Sequence, residues 1–415
     1  MTSSSKLLGQ PDAAAAVGAA ARPPLVTRAL LLRFVTVIGA SASFFLLLSV
    51  VPLYAKDSGG GGGAAGLATG ALMLSTVLGE LATPRLVARY GYRWALSAGL
   101  VLLGAPALVL TAGHGMVWIA AVCLVRGLGF ALTVVAGGAL TAALIPAERR
   151  GEGLALAGIV SGVPSLLALP LGVWLAAHVG YTPVALAGGV LALAVVVVVP
   201  GLPGREPAAG PDAGPAAERP VGVVAGLRTA SLARPALVFA TTALGAGIIV
   251  TFLPLAVPAR YSGLVAAALF VQPAAATLAR WFAGRIGDRR GPAGLVLPGL
   301  LLSAAGMLLT ALTTSPVAVL GGVALFGVGF GVAQNSTLSL MYARVPASGY
   351  GTVSALWNVG YDAGMGAGAV GFGAVAAWTG YPAAFAATAA LMLAALVPAL
   401  RDRSGTGDLD SLPRC

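Results

Sequence analysis

The chain has 415 residues, of which 58% are hydrophobic and only 9% charged. A soluble domain carries about 45–50% apolar and about 25% charged residues. A chain so poor in charge cannot cover a water-facing surface, which excludes an ordinary globular enzyme, a disordered chain and a disulfide scaffold and leaves an integral membrane protein. The balance of 24 basic against 13 acidic residues gives +11. In a soluble protein that excess suggests nucleic acid, but in a membrane protein basic residues gather on the cytoplasmic side and set topology. No nucleic-acid partner is therefore expected. Cys123 lies in an apolar run and Cys415 is the last residue, and His114 and His178 sit at the ends of apolar runs. None of the four has the spacing of a disulfide framework or a metal site.

In chain order, residues 1–29 are Ala-rich and polar and read as a disordered cytoplasmic tail, not a cleaved signal. A spanning helix needs about 20 apolar residues. Twelve such runs follow, at 34–55, 64–83, 94–113, 116–139, 153–176, 182–202, 235–256, 262–281, 293–313, 316–338, 351–375 and 382–400. They are continuously apolar, not alternating, so the expected fold is all-α with 12 transmembrane helices rather than a barrel. Residues 30–202 then form an N-terminal six-helix half and 232–400 a C-terminal one. Residues 203–231, rich in Pro, Ala, Gly and charge, read as the cytoplasmic linker, and 401–415 as a cytoplasmic tail.

Charge supports this arrangement. With the N-terminus inside, all of the 24 basic residues fall on inner segments except Lys56 and Arg260, on outer loops, and Arg126, within a span. The asymmetry places both termini in the cytoplasm of a multi-pass cell-membrane protein.

The halves repeat at an offset of 200 residues. Arg85, Arg89 and Gly91 match Arg285, Arg289 and Gly291. Arg126-Gly-Leu-Gly-Phe130 matches Phe326-Gly-Val-Gly-Phe330, and Gly180-Tyr181 matches Gly380-Tyr381. One offset recurring along the chain implies a parallel repeat of six and six spans.

These residues resemble the major facilitator superfamily over nearly the whole chain. The segment Gly284-Arg-Ile-Gly-Asp288-Arg289-Arg-Gly291 is similar to its cytoplasmic loop motif, G-x-x-x-D-R-x-G. In the first-half copy, Pro84 and Ala88 replace the leading Gly and the Asp, while Arg85, Arg89 and Gly91 remain. The resemblance implies a gating loop built on Gly284, Asp288, Arg289 and Gly291 with Arg85, Arg89 and Gly91. Because the first-half Asp is missing, the gating role shifts to Asp288. Physically, Asp288 can cap an adjacent helix or pair with an Arg, or the loop can do no more than set topology. Arg126-Gly-Leu-Gly129 is similar to the superfamily's span-4 motif with a buried Arg, which in proton-coupled relatives is associated with proton transfer. Span 5, with Gly158, Gly162, Pro164 and Pro170, loosely resembles an antiporter motif, but Leu169 stands where that motif has Gly.

Charges at mid-membrane are costly, at least about 2.5–3.5 kcal/mol, and usually face a cavity. Arg126 and Asp362 lie near the middle of spans 4 and 11. Glu80 and Arg280 lie near the inner ends of spans 2 and 8, 200 residues apart and opposite in charge. An arginine keeps its proton, so Arg126 can hold an anion, tune a carboxyl or anchor backbone carbonyls. A carboxyl in low dielectric can take up a proton near neutral pH, which makes Asp362 the first proton-coupling candidate, supported by Arg126 and Glu80. A fixed ion pair is the alternative for Asp362. Asn358 sits one turn before it, and Trp357, Tyr361, Gln272 and Arg280 complete a candidate cavity wall.

No ATP-binding loop, metal motif or nucleophile elbow appears, so no enzyme activity and no cofactor are expected. The reading is a monomeric secondary transporter with alternating access, coupled to protons and exporting a small organic molecule. Two alternatives stay open: a proton-coupled importer of a sugar, organic anion or nutrient, and a transporter-like receptor with no transport cycle.

Overall fold

A computed structural model describes residue 24 and residues 26–146, 150–205, 223–345 and 350–402. All regular structure among the described residues is helical. In chain order the helices are α1 (Arg28–Leu48), α2 (Val50–Ala55), α3 (Gly61–Tyr90), α4 (Tyr92–Leu108), α5 (Met116–Leu144), α6 (Arg150–Val179) and α7 (Tyr181–Ala194). They continue with α8 (Val223–Arg228), α9 (Ala230–Ala256), α10 (Ser262–Arg290), α11 (Ala293–Thr310), α12 (Pro316–Ala343), α13 (Tyr350–Thr379) and α14 (Tyr381–Ala394). Among the described residues, ten stretches are long and apolar enough to cross a membrane. Large apolar side chains such as Leu74, Leu78, Ile159 and Leu278 are exposed on the outer faces, as lipid rather than water would favour.

Several helices run beyond the apolar runs that mark them in the sequence. The segment 284–290, expected as a loop, forms the last turns of α10, and Arg85 and Arg89 lie on the last turns of α3. Backbone pairing stays satisfied within the helix as it leaves the apolar layer, so charged residues there do not end it. Gly91 and Gly291 do, with φ of 84° and 80°, a conformation open to glycine at little cost. The linker expected at 203–231 is likewise not wholly irregular. Its end forms α8 and the first residues of α9, whereas 206–222 lies outside the described residues, as do 1–23 and 403–415 of the expected tails.

Within the first seven helices, α5 packs between α3 and α4, and α1 against α6 and α7. Among the later ones, α12 packs between α10 and α11, and α13 against α9. The two groups meet chiefly where α3 crosses α13 and α6 crosses α10. Both groups rely on glycine to bring helices together. A side chain at Gly129 would run into Leu103 N and Gly99 O of α4, and one at Gly331 into Ala276 O of α10. In lipid, with no hydrophobic drive between helices, such close contact supplies much of the association.

The exposed basic side chains Arg85, Arg89, Arg93, Arg285, Arg289 and Arg290 mark one end of the bundle, and Lys56 and Arg260 the other. At the basic end, Arg344 grips Asp402 through two hydrogen bonds of 2.8 and 2.9 Å and donates to Ser231 O at 2.7 Å. This joins the end of α12 to the start of α9 and the segment after α14.

Gly129→Val is expected to destabilise the purified protein by about 1–3 kcal/mol, the usual cost of overpacking. Gly371→Ala, where an added methyl meets nothing within 4 Å, should leave the melting temperature unchanged or raise it slightly. Thermal melting in one detergent checks both.

Candidate functional site

The cavity at the centre of the bundle has a volume of about 400 Å³ and is walled by α1, α3, α5, α6, α9, α10, α12 and α13. It lies toward the basic end. Beyond it, toward the Lys56 end, the two groups of helices are pressed together. Ser49 Oγ donates to Val250 O at 2.8 Å, and Thr69 and Thr251 share a hydrogen bond of 3.0 Å. Gly66 of α3 faces Ala369 O of α13 with no room for a side chain between them. The cavity is therefore sealed on that side. Along α10 its wall runs from buried Gln272 to exposed Thr277 and half-exposed Arg280, which places its mouth toward the basic end.

Most of the residues singled out in the sequence meet here. Glu80, Gln272, Arg280, Trp357, Asn358, Tyr361 and Asp362 all line the cavity. Glu80 and Asp362 are only 8% and 6% exposed, and their carboxyls lie within hydrogen-bonding reach of each other. They come from α3 and α13, the two helices that cross between the groups. Among the described residues neither carboxyl forms an ion pair with a basic residue. Glu80 Oε2 and Trp357 Nε1 are buried without a hydrogen-bond partner. Buried polar atoms are rarely left unpaired, so each such case calls for a reason.

Aromatic rings stiffen the same wall. Trp357 stacks on Phe239 at 4.4 Å with an interplanar angle of 10°. Tyr361 lies 5.9 Å from Phe239 and 6.2 Å from Phe330. Arg280 donates to Thr277 Oγ1 of its own helix at 3.0 Å. Despite its place opposite Glu80 in the repeat, it makes no ion pair among the described residues. Asn358 makes no hydrogen bond to Asp362, although they are one turn apart.

Arg126 stands elsewhere. It is 1% exposed, and its guanidinium donates to Leu103 O of α4 and Ser43 O of α1, both at 3.2 Å. It is not among the residues that line the cavity, and of the roles open to it from sequence its geometry matches the anchor on backbone carbonyls. Carbonyl oxygens have a second lone pair for such donors even inside a helix.

The cytoplasmic-motif residues are also apart from the cavity. Asp288 is exposed and makes no ion pair among the described residues. It does not cap α11, whose N-cap Pro292 has no side-chain hydrogen bond. Arg285 packs its guanidinium 3.9 Å from the Trp281 ring centroid, and Arg89 lies 5.3 Å from that of Tyr90. Gly284 lies within α10 near Asn335, and Gly91 and Gly291 close their helices.

Two features were not singled out from sequence. Gln334 lines the cavity with Ser161 and Ser165, and a lone amide in an apolar run is the same signal that marks Gln272. Arg33 groups with the inner basic residues by position, yet it is buried, bonding Gly137 O at 3.0 Å and Thr36 Oγ1 at 2.6 Å.

The family model of the Major Facilitator Superfamily matches residues 33–369. The chain belongs to the major facilitator superfamily. It is a membrane transporter, not an enzyme. Among solved structures it is similar to the nucleoside transporter NupG, with 14% identity and a TM-score of 0.70 over 91% of this chain and 99% of that one. It is also similar to the POT family transporter PepTSo, with 13% identity and a TM-score of 0.74 over 92% and 99% of the two chains. At such identities the likeness concerns the fold. Comparison with curated proteins finds no match.

For this superfamily member, Arg126→Lys keeps the charge but loses the planar fork that reaches two helices. The loss of one charge-assisted hydrogen bond is expected to cost about 1.5–3 kcal/mol. Thermal melting should show the drop, while ligand affinity at the cavity stays as in the wild type.

Proposed function

We propose that the protein is a proton-coupled secondary transporter that crosses the cell membrane twelve times, as two six-helix halves, and exports a small organic molecule by alternating access. Both termini then lie in the cytoplasm and the working unit is a monomer. The observation that carries the coupling is the contact between the Glu80 and Asp362 carboxyls.

The twelve crossings rest on length. The stretch Arg28–Tyr90 has 63 residues, and at about 1.5 Å per residue it is far longer than one bilayer crossing of about 30 Å. A break at Gly59, with φ of 95°, divides it into α1 with α2 and then α3. The 30-residue α13 supplies a further crossing. The two halves are supported by matched close approaches. A Cβ at Gly99 would lie 3.0 Å from Gly129 O, and one at Gly299 would lie 3.1 Å from Gly329 O. The left-handed glycines pair likewise, Gly91 with Gly291 and Gly180 with Gly380.

Two carboxyls in reach of each other form a hydrogen bond only when one carries a proton. With both ionised, away from water and without a basic partner, they repel. The pair thus holds a proton while the cavity faces the basic end. Because Glu80 and Asp362 lie on α3 and α13, one in each half, a rocking of the halves changes their separation and with it the hold on the proton. The unpartnered Trp357 Nε1 and the amides of Gln272, Gln334 and Asn358 offer hydrogen bonds to a substrate, and the aromatic wall offers apolar contact. Asp288, Arg289, Arg85 and Arg89 would guard the basic end when it closes.

Arg280 favours a second reading. Its guanidinium at the mouth, without a carboxylate partner among the described residues, suits an organic anion or nutrient carried inward with a proton. Direction of flux separates the two readings.

In proteoliposomes with an imposed proton gradient and a panel of drugs, sugars and organic acids, one compound is expected to move against its gradient. Asp362→Asn and Glu80→Gln should each reduce this flux to background while folding remains intact. Normal gradient-driven flux in either variant overturns the coupling role. Flux only toward the cytoplasmic face overturns export.

A further inference from the structure

A side chamber adjoins the central cavity within the first seven helices. It has a volume of about 420 Å³ and is walled by α1, α5 and α6. Phe45, Phe130 and Val134 border both spaces. From there the chamber runs toward the basic end. Its wall on α1 is Arg33, Val37, Ser41 and Phe45, four residues apart and so on one helix face. The helix rises about 18 Å from Arg33 to Phe45. The volume falls within the roughly 300–1,000 Å³ of small-molecule sites.

The repeat marks this space as particular to the first half. At the offset of 200 residues, Gly138, Thr141 and Ala157 of its wall become Leu338, Met341 and Trp357, and Arg33 becomes Ala233. The three larger side chains pack in one apolar cluster. A Cβ at Gly138 meets nothing within 4 Å, so the chamber is open where its counterpart holds a leucine.

One residue in the wall carries charge. Arg33 is 5% exposed, and its guanidinium uses three of its five N–H groups, on Gly137 O, Thr133 O and Thr36 Oγ1. One N–H on each terminal nitrogen stays unused among the described residues, and no carboxylate lines the chamber. Ser41, half-buried two turns further along, also makes no hydrogen bond among the described residues. Arg126, which anchors on carbonyls in the same way, borders neither space. A buried charge without a counter-charge is costly, and an anion beside Arg33 gains charge-assisted hydrogen bonds. Glu80 and Asp362 in the central cavity set a limit, because a second anionic group on the ligand would meet them there.

We propose that this chamber binds an organic monoanion, with the anionic group held by Arg33 and an apolar body directed past Val37 toward Phe45 and Phe130. The inference rests on the transporter reading for calling that ligand the substrate, and it names the substrate class: a monoanion with an apolar body.

The test uses the full chain in phosphatidylcholine nanodiscs, with no gradient, and titration calorimetry with 2-naphthaleneacetate. Saturable binding is expected, at least tenfold tighter than that of the uncharged 2-(2-naphthyl)ethanol or the cationic 2-(2-naphthyl)ethylammonium. Gly138→Leu, which installs the residue of the second half, should weaken binding at least tenfold, and Arg33→Gln comparably. Gly371→Ala should leave it unchanged. Size-exclusion and melting profiles confirm folding, and Gly138→Leu decides the matter if Arg33→Gln does not fold. Wild-type affinity in Gly138→Leu overturns the proposal by moving the probe elsewhere, and equal affinity for the alcohol overturns it by removing the anion. Absence of saturable binding by the wild type also overturns it. Phosphatidylglycerol in the nanodiscs, at a salt concentration that screens surface charge, should not displace the probe; displacement overturns the proposal by giving Arg33 to a lipid headgroup. None of these outcomes touches the coupling reading, which fails only if gradient-driven flux survives Asp362→Asn.

Discussion

The crossing of α3 and α13 is the contact on which the rest of the structure depends. Gly66, Gly70 and Gly366 let the two backbones come within side-chain-free range. That approach seals the bundle toward the Lys56 end and leaves space toward the basic end. A few turns further on, it brings Glu80 and Asp362 together. Close packing replaces hydrophobic drive between helices in lipid, so one stripe of small residues sets the shape of the cavity and the position of its chemistry.

Asp362 has an unusual position in that arrangement. It lines the central cavity, where it answers to Glu80. Neighbouring polar atoms, Glu80 Oε2 and Trp357 Nε1, are left without partners, which suits a place where a visitor completes the hydrogen bonding. By contrast, Arg33 and Arg126 donate to backbone carbonyls. Buried charge thus sits in two settings in one protein: Arg33 and Arg126 are held by backbone carbonyls of other helices, whereas Glu80 and Asp362 meet each other on the cavity wall.

Much of this was legible in the sequence, because lipid imposes coarse rules. Composition alone gave the membrane class, and isolated polar residues in apolar runs pointed to Glu80, Gln272, Arg280 and Asp362. What was not legible came from three dimensions. Whether Arg126 faces the cavity or its neighbours depends on rotation of α5 about its axis, which hydropathy along a uniformly apolar helix does not reveal. The helical continuation through Arg85, Arg89 and Asp288 is invisible to hydropathy, because charge ends the apolar run while only the backbone of Gly91 and Gly291 ends the helix. By position Arg33 belongs to the basic border, yet its side chain reaches back to carbonyls of α5.

Arg126 also bears on how the chain enters the bilayer. Its two carbonyl partners, Ser43 and Leu103, belong to α1 and α4, both of which precede α5 in the sequence. During synthesis the acceptors are thus already made when the helix with the buried charge emerges. An arginine near mid-membrane hinders insertion of an isolated helix, but here earlier segments can receive it as it arrives. Position 326, its counterpart at the offset of 200 residues, is a fully buried phenylalanine, which enters lipid unaided. The later group of helices therefore needs no such order of arrival at this point.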